Sequence, residues 1–267
     1  MLDRKVYIIG GGNMGASIAE GLLDDNINNS KLINIIDSDK KLKKIFIKKK
    51  LNFTTEIPKS IKDSLLIIAV KPQNFENLEK SFFPTQKSNL IISIMAGVTI
   101  KKIKSKLKTE IIVRAMPNLN SAIKKGYTVL FGNGLNKVEK KIIDYIFSTI
   151  GELSWVRNES RINLFTAITG SGPGFIFYLM EKYQVFLEKN GIDKLKAKKI
   201  VCQLFDGSVD YAKKSKKDYA VLRKNVSSKG GTTEAGCKVF DEKKFEYILE
   251  EVFHAAIDKA YELGDKK

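Results

Sequence analysis

The stretch that decides the fold reads Val6-Tyr7-Ile8-Ile9-Gly10-Gly11-Gly12-Asn13-Met14-Gly15. An apolar strand pattern runs directly into the glycine pattern G-x-G-x-x-G, which opens an amphipathic helix. Gly10 allows the tight turn, Gly12 lets a pyrophosphate approach the backbone, and Gly15 lets the helix pack closely on the strand. The stretch therefore predicts a dinucleotide-binding turn whose helix N-terminus faces the phosphates.

Short apolar runs recur up to residue 156 and alternate with longer amphipathic stretches. Such strands, separated by helices, are typical of a parallel sheet covered on both faces. We therefore predict a Rossmann-like, doubly wound α/β domain over residues 1–156. Its predicted strands are Val6–Ile9, Leu32–Ile36, Leu51–Thr54, Leu65–Ala69, Leu90–Ile94, Ile111–Arg114, Tyr127–Phe131 and Glu152–Val156. Its predicted helices include Asn13–Asp24, Asp39–Lys50 and Lys137–Ile150.

The strand pattern stops after Val156, and the rest of the chain has the spacing of long helices. The clearest is the last, where apolar residues from Phe245 to Ala260 fall on one face with a period of 3.6. We therefore predict an all-helical second domain over residues 157–267.

The net charge of +17 raises the question of nucleic-acid binding. Only five of the 47 basic residues are arginine, the side chain that nucleic-acid readers favour. The lysines are spread over nearly every predicted helix rather than gathered on one patch, so we expect no nucleic-acid partner.

The rest of the composition excludes several other classes. Two cysteines and one histidine cannot supply a disulfide framework or a His-based zinc centre, so we expect no metal. Apolar runs are far shorter than the ~20 residues of a membrane span, and no signal-peptide pattern is present. We expect a cytoplasmic protein without a membrane partner.

Ligands of a doubly wound sheet bind outside the carboxyl ends of its strands. Three further turns lie at such ends and together outline one crevice. Ala69-Val70-Lys71-Pro72 is expected to border the cofactor, Ala96-Gly97 leaves room for a nicotinamide ring, and Asn118 follows the next strand.

The end of the second strand bears on the choice of cofactor. Asp37 stands 22 positions after Gly15, close to the ~20-residue spacing of an acidic ribose ligand. A carboxylate there favours NADH, whereas the adjacent Ser38, Lys40 and Lys41 could hold the phosphate of NADPH.

A hydroxyl-rich segment, Val226-Ser227-Ser228-Lys229-Gly230-Gly231-Thr232-Thr233-Glu234, precedes a helix in the second half. Serines, threonines and two glycines ahead of a helix N-terminus favour a nest for a small anion. A plain helix cap is the alternative, although it would not need so many hydroxyls.

Six segments, in this order, resemble those of the pyrroline-5-carboxylate reductase family, and the resemblance runs from Val6 to about Leu263. They are Ile9–Gly15, Ala69–Pro72, Ala96–Thr99, Arg114–Asn118, Gly170–Pro173 and Val226–Thr233. The chain departs from the family pattern at three places. Leu119-Asn120 stands where Thr-Pro is usual, Lys229 where proline is common, and Glu234 where an apolar residue is frequent.

The resemblance implies hydride transfer from NADPH or NADH to the C=N carbon of 1-pyrroline-5-carboxylate, giving L-proline. It also implies that the helical domain forms an intertwined homodimer, with rings of dimers in many members. Ser228, Gly231 and Thr232 would bind the substrate carboxylate, and Thr233, as the candidate catalytic residue, would hydrogen-bond the ring nitrogen.

On the cofactor side the resemblance assigns three groups of residues. Gly10, Gly12, Asn13, Met14 and Gly15 would hold the pyrophosphate. Ala69, Lys71 and Pro72 would line the path from adenosine to ribose, and Ala96, Gly97 and Asn118 would approach the nicotinamide end.

Other interpretations also fit parts of the sequence. A β-hydroxyacid dehydrogenase would need a lysine general acid four residues after Gly170-Ser171-Gly172, where Phe175 follows Gly174 instead. A general imine reductase and a non-catalytic dinucleotide sensor share the first domain, although a sensor would not need a second anion nest.

Overall fold

The computed structural model describes residues 2, 4–58, 61, 63–75, 78, 90–107 and 111–265. The chain divides into two compact units, Met1–Ser171 with Ala256–Lys267, and Gly172–Ala255. The first unit therefore extends past residue 156, where the strand pattern ends and where we predict the domain boundary.

The described residues of the first unit form an eight-stranded sheet in the order β3-β2-β1-β4-β5-β6-β7-β8. The strands are β1 Val6–Ile9, β2 Ile33–Ile36, β3 Asn52–Thr54, β4 Leu65–Ile68, β5 Leu90–Ser93, β6 Ile112–Met116, β7 Gly126–Gly132 and β8 Gly151–Trp155. Each lies within two residues of its predicted ends, and the predicted α/β fold is confirmed.

The helices of the first half are α1 Asn13–Asp25, α2 Leu42–Lys48, α3 Ile100–Leu107, α4 Lys137–Ser148 and α5 Arg161–Phe165. Short 3₁₀ segments cover Ile27–Lys31, Pro72–Asn74 and Leu119–Ile123, and a π-helical turn covers Thr166–Gly170. The second half contributes α6 Gly172–Lys189, α7 Lys194–Ser215, α8 Tyr219–Val226, α9 Thr232–Glu242 and α10 Phe245–Asp265.

The sheet is buried on both faces, as its apolar strands predict. Leu65 and Ile67 of β4 enter one apolar cluster, while Leu66 and Ile68 enter a second cluster. All four side chains are fully buried. Because alternate residues of a strand point to opposite faces, β4 lies between two covering layers.

The last two strands, β7 and β8, run in a direction that the sequence did not predict. β6 and β7 pair antiparallel, whereas the other neighbouring strands are parallel. Only a short 3₁₀ segment, Leu119–Ile123, connects β6 to β7. A parallel neighbour needs a crossover of a dozen or more residues, usually with a helix, so this connection forces the reversal. The α4 crossover then returns β8 parallel to β7.

The second unit consists of helices whose apolar faces are largely uncovered in one chain. The rings of Tyr183 on α6 and Phe205 on α7 pack edge to face, with centroids 5.6 Å apart. However, among their described residues α6, α8 and α9 contain no buried side chain. Large apolar residues such as Phe186 and Leu195 are 68% and 78% exposed.

Candidate active site

A cleft of about 760 Å³ opens at the carboxyl ends of the strands in the first unit. It lies where the order of the sheet reverses, because β2 pairs with one side of β1 and β4 with the other. In open α/β sheets this switch point is the usual ligand site, and the volume lies in the range of small-molecule pockets.

The three glycines of the G-x-G-x-x-G pattern, Gly10, Gly12 and Gly15, differ in their surroundings. Gly10 has a φ of +107°, and a Cβ there would lie 2.6 Å from the carbonyl oxygen of Ala69. A Cβ on Gly15 would collide with the carbonyl oxygen of Gly10. A Cβ on Gly12 would meet no atom within 4 Å. Two glycines are therefore required by protein packing, and the third faces open space in the cleft wall.

The N-terminus of α1 has the geometry of an anion site. Gly12 is its N-cap, and no side chain caps this end within the described residues. The first N–H groups of a helix have no intrahelical acceptor, and the helix dipole adds partial positive charge there. The end of α1 beside the cleft thus offers donors to a phosphate group.

Asp37 joins the glycine turn to the end of β2. Its Oδ2 accepts a hydrogen bond from the N–H of Gly11 at 2.7 Å, and its Oδ1 accepts one from the N–H of Asp39 at 2.8 Å. These bonds fix the carboxylate in the cleft wall. Each oxygen keeps a lone pair that could accept from a hydroxyl of a ligand.

A buried ion pair supports the turn that contains Ala96 and Gly97. Arg114 of β6 is 2% exposed, and its Nη1 lies 3.1 Å from Oε1 of Glu159. The same Glu159 oxygen accepts the N–H of Ile100, the first residue of α3, at 2.8 Å. Burial lowers the pKa of Arg114, and the adjacent carboxylate of Glu159 acts in the opposite direction. The pair therefore ties the start of α3 to β6.

Asn118 connects the β6–β7 turn to the π-helical turn. Its Nδ2 donates to the carbonyl of Thr169 at 3.0 Å, and its Oδ1 accepts from the N–H of Tyr127 at 3.3 Å. The residue is 8% exposed. Its amide is thus used for internal support, and its predicted approach to nicotinamide remains a prediction.

The cleft brings together six of the predicted cofactor residues and leaves others outside its lining. The six are Gly10, Gly12, Asp37, Ala69, Val70 and Lys71. Outside the lining are Asn13, Met14, Gly15, Pro72, Ala96, Gly97 and Asn118. The sequence reasoning missed the segment Thr55–Ile57, which lines the cleft just after β3. Its position at the carboxyl end of a predicted strand was the available signal.

The hydroxyl-rich segment of the second unit forms a tight turn between α8 and α9. The N–H of Gly231 donates to the carbonyl of Ser228 at 2.9 Å. Gly230 has a φ of +72°, whereas Lys229 keeps a negative φ. This combination is that of a type II turn, in which proline is favoured at the position of Lys229.

The hydroxyls of this turn fall into two groups. The Oγ of Ser227 donates back to the carbonyl of Arg223 at 2.9 Å and so belongs to the helix end. Within the described part of the chain, the hydroxyls of Ser228, Thr232 and Thr233 make no hydrogen bond to protein. No side chain caps Gly231 at the start of α9 among those residues either. The turn therefore offers free hydroxyl and N–H donors to an anion.

The described residues contain neither a metal-binding cluster nor a membrane-spanning helix. No group of three or more His, Cys, Asp or Glu side chains is arranged to hold a metal ion there. None of the described helices combines the length and the apolar character that crossing a bilayer demands.

Two family models match the chain. The model described as "Pyrroline-5-carboxylate reductase dimerisation" matches residues 159–263. The model described as "NADP oxidoreductase coenzyme F420-dependent" matches residues 5–97. The first match includes the hydroxyl-rich turn of the second half, and the second includes the glycine-rich turn after β1.

The chain is also similar over its whole length to named proteins. It is 31% identical to the pyrroline-5-carboxylate reductase of Staphylococcus aureus (strain COL), with 98% of each chain covered. It resembles the crystal structure of Plasmodium falciparum pyrroline carboxylate reductase with NADP bound, with a TM-score of 0.87, 27% identity, and coverage of 99% and 100%. For the pyrroline-5-carboxylate reductase structure from Coxiella burnetii the TM-score is 0.86 and the identity 30%, with coverage of 99% and 100%.

Because Gly12 and Gly15 have different surroundings, the same substitution to alanine should affect dinucleotide binding at Gly12 and stability at Gly15. Gly15→Ala forces a Cβ against a backbone carbonyl, so we expect a loss of about 1–3 kcal/mol of stability and a lower Tm. Gly12→Ala places its methyl in open space at a φ of −66° that alanine adopts readily, so the Tm should stay unchanged. Its methyl would block phosphate approach, so we expect about tenfold or weaker dinucleotide binding.

Thermal unfolding and fluorescence titration with NADH and NADPH measure both effects. Unchanged dinucleotide affinity in a folded Gly12→Ala variant would contradict the assignment of α1 as the phosphate site.

Proposed function

The chain belongs to the pyrroline-5-carboxylate reductase family, and on that premise we propose which of its residues reduce 1-pyrroline-5-carboxylate to L-proline. The first unit holds the nicotinamide cofactor and the second unit binds the substrate. The observation that carries the substrate assignment concerns the described residues: there the hydroxyls of Ser228, Thr232 and Thr233 have no hydrogen-bond partner, and they lie at a helix start that no side chain caps.

Cofactor binding is assigned to the cleft of the first unit. The N-terminus of α1 at Gly12 would hold the pyrophosphate, and Asp37 would accept from ribose hydroxyls. Lys71 lines the same cleft and adds a positive charge beside it. When bound, NAD(P)H supplies a hydride to the C=N carbon, and with one proton at the ring nitrogen the products are L-proline and NAD(P)⁺.

Substrate binding is assigned to the turn between α8 and α9. The hydroxyls of Ser228 and Thr232 would hold the carboxylate. The N–H of Gly231 already donates to the carbonyl of Ser228 at 2.9 Å, so it would contribute only as a shared donor. The hydroxyl of Thr233 would hydrogen-bond the ring nitrogen. A cyclic imine that is protonated accepts hydride readily, so the chain needs to orient the ring rather than supply a strong acid. The near absence of histidine, with one in the whole sequence, is consistent with a reaction that needs no histidine as a proton donor.

Thr233→Ala should reduce kcat/KM for 1-pyrroline-5-carboxylate by about a hundredfold, because it removes an oriented hydrogen bond to the reacting ring. Thr233→Ser retains a hydroxyl and should restore most of the activity. Ser227→Ala is the matched control, since that hydroxyl is already bonded to Arg223. NAD(P)H oxidation followed over a range of 1-pyrroline-5-carboxylate concentrations, with the Tm of each variant, measures the effect. Wild-type turnover in folded Thr233→Ala would remove Thr233 from the mechanism.

We further propose that NADH is the preferred cofactor. The carboxylate of Asp37 is held in the cleft wall by two backbone N–H groups, so it cannot turn away from a 2′-phosphate without losing both bonds. Repulsion between the two negative charges disfavours NADPH. The exposed Lys40 and Lys41 are the groups that would act in the opposite direction.

Asp37→Asn should raise the kcat/KM ratio of NADPH over NADH by about tenfold, the effect of roughly 1.4 kcal/mol of removed repulsion. Asp39→Asn is the control, because it changes a neighbouring carboxylate that lies outside the cleft lining. Steady-state kinetics with both cofactors supply the ratios. A wild-type preference for NADPH, or equal ratios in the two variants, would contradict the role of Asp37.

The exposed apolar side chains of the helical unit favour assembly of the chain into a homodimer. Its apolar side chains are too exposed for a unit that is stable alone, as Tyr219 at 82% and Val226 at 65% illustrate. The apolar stripe of α10 is likewise uncovered at Ile248, which is 47% exposed. A second copy that covers these faces accounts for the pattern, and rings of dimers are a further expectation.

Light scattering should therefore give a mass of twice the 30.0 kDa of one chain, or an even multiple of it. Replacing Leu195, which is 78% exposed, by Glu should shift the protein towards the monomer if a second copy covers that face. Lys229→Glu changes a charge on the turn and serves as the control. A wild-type monomer at micromolar concentration would exclude the dimer.

A further inference from the structure

Glu234 makes a contact that ties up one donor of the substrate turn. It is the third residue of α9, and its Oε2 accepts a hydrogen bond from the N–H of Gly230 at 2.5 Å. Gly230 is the central glycine of the type II turn. The carboxylate of Glu234 thus lies on the same turn that is proposed to bind the substrate carboxylate.

The position of Glu234 brings two negative charges to neighbouring donors of one turn. Glu234 lies next in the chain to Thr233 and accepts from the N–H next to that of Gly231. A substrate carboxylate bound by Ser228, Gly231 and Thr232 would therefore lie close to the carboxylate of Glu234. Like charges at short separation disfavour each other, and this opposes substrate binding.

We propose that Glu234 is a specificity-determining residue that competes with the substrate carboxylate for the turn between α8 and α9. This inference rests on the proposed function of that turn. In the free protein Glu234 occupies the N–H of Gly230, and bound substrate has to tolerate or displace its charge. The affinity of the chain for its substrate is accordingly lower than it would be if residue 234 carried no negative charge.

A purely structural role for Glu234 makes different predictions. An acidic side chain in the first turn of a helix stabilises it through the helix dipole, and a bond to the preceding backbone adds to that. Removing such a cap would loosen the turn and weaken substrate binding. The competing role instead predicts tighter binding, so the direction of the change in KM separates the two.

The test compares Glu234→Gln with the wild-type enzyme, because the glutamine oxygen still accepts from Gly230 while the charge is gone. We expect the KM for 1-pyrroline-5-carboxylate to fall about fivefold, with kcat within about twofold of wild type. The difference should shrink as ionic strength rises, because salt screens exposed charges. For 1-pyrroline, the same ring without a carboxylate, kcat/KM should not change.

Glu242→Gln is the matched control, since it makes the same change at the far end of α9 on a side chain that is 60% exposed. Its KM for 1-pyrroline-5-carboxylate should equal that of the wild type. The proposal is overturned if Glu234→Gln leaves that KM unchanged or raises it, or if the KM for 1-pyrroline falls equally. A wild-type enzyme that turns over neither substrate would overturn the proposed function itself, and this inference with it.

Discussion

The close approach of α1 to the end of β1 is the constraint on which the first unit depends. Gly15 touches the carbonyl of Gly10 so closely that no side chain fits between them. This contact fixes where α1 begins, and hence where its free N–H groups point. The same glycine turn receives Asp37 from β2 and packs Gly10 against Ala69 after β4. One backbone contact thereby aligns three strand ends around a single cleft.

Much of the first unit could be predicted from the sequence, because strands buried on both faces leave uninterrupted apolar runs. The features that the sequence did not predict depend on how segments distant in the chain are connected and packed. The direction of β7 followed from the short connection at Leu119–Ile123, and the apolar run alone is the same for either direction. The use of the Asn118 amide for internal bonds also depends on contacts that no sequence pattern reveals, whereas Thr55–Ile57 could have been found from its place after a predicted strand.

The helical unit was harder to predict because its side chains pack little within one chain. Periodicity located the helix at Phe245–Asp265, but it could not tell a face covered by the same chain from one left for a partner. The hydroxyl-rich segment was found by composition and by its resemblance to a family motif. Only hydrogen bonds separate Ser227, whose hydroxyl belongs to the helix end, from Ser228, whose hydroxyl has no partner in the described part of the chain.

Lysine at position 229 has a consequence for how this turn would bind the proposed substrate. The residue stands where a type II turn favours proline, whose ring would restrict φ before anything binds. With lysine, the backbone between Ser228 and Gly230 retains more conformations in the ligand-free state. Ordering them on association lowers the configurational entropy of the main chain, so recognition here is more adaptable and less preorganised than in a rigid loop of equal shape.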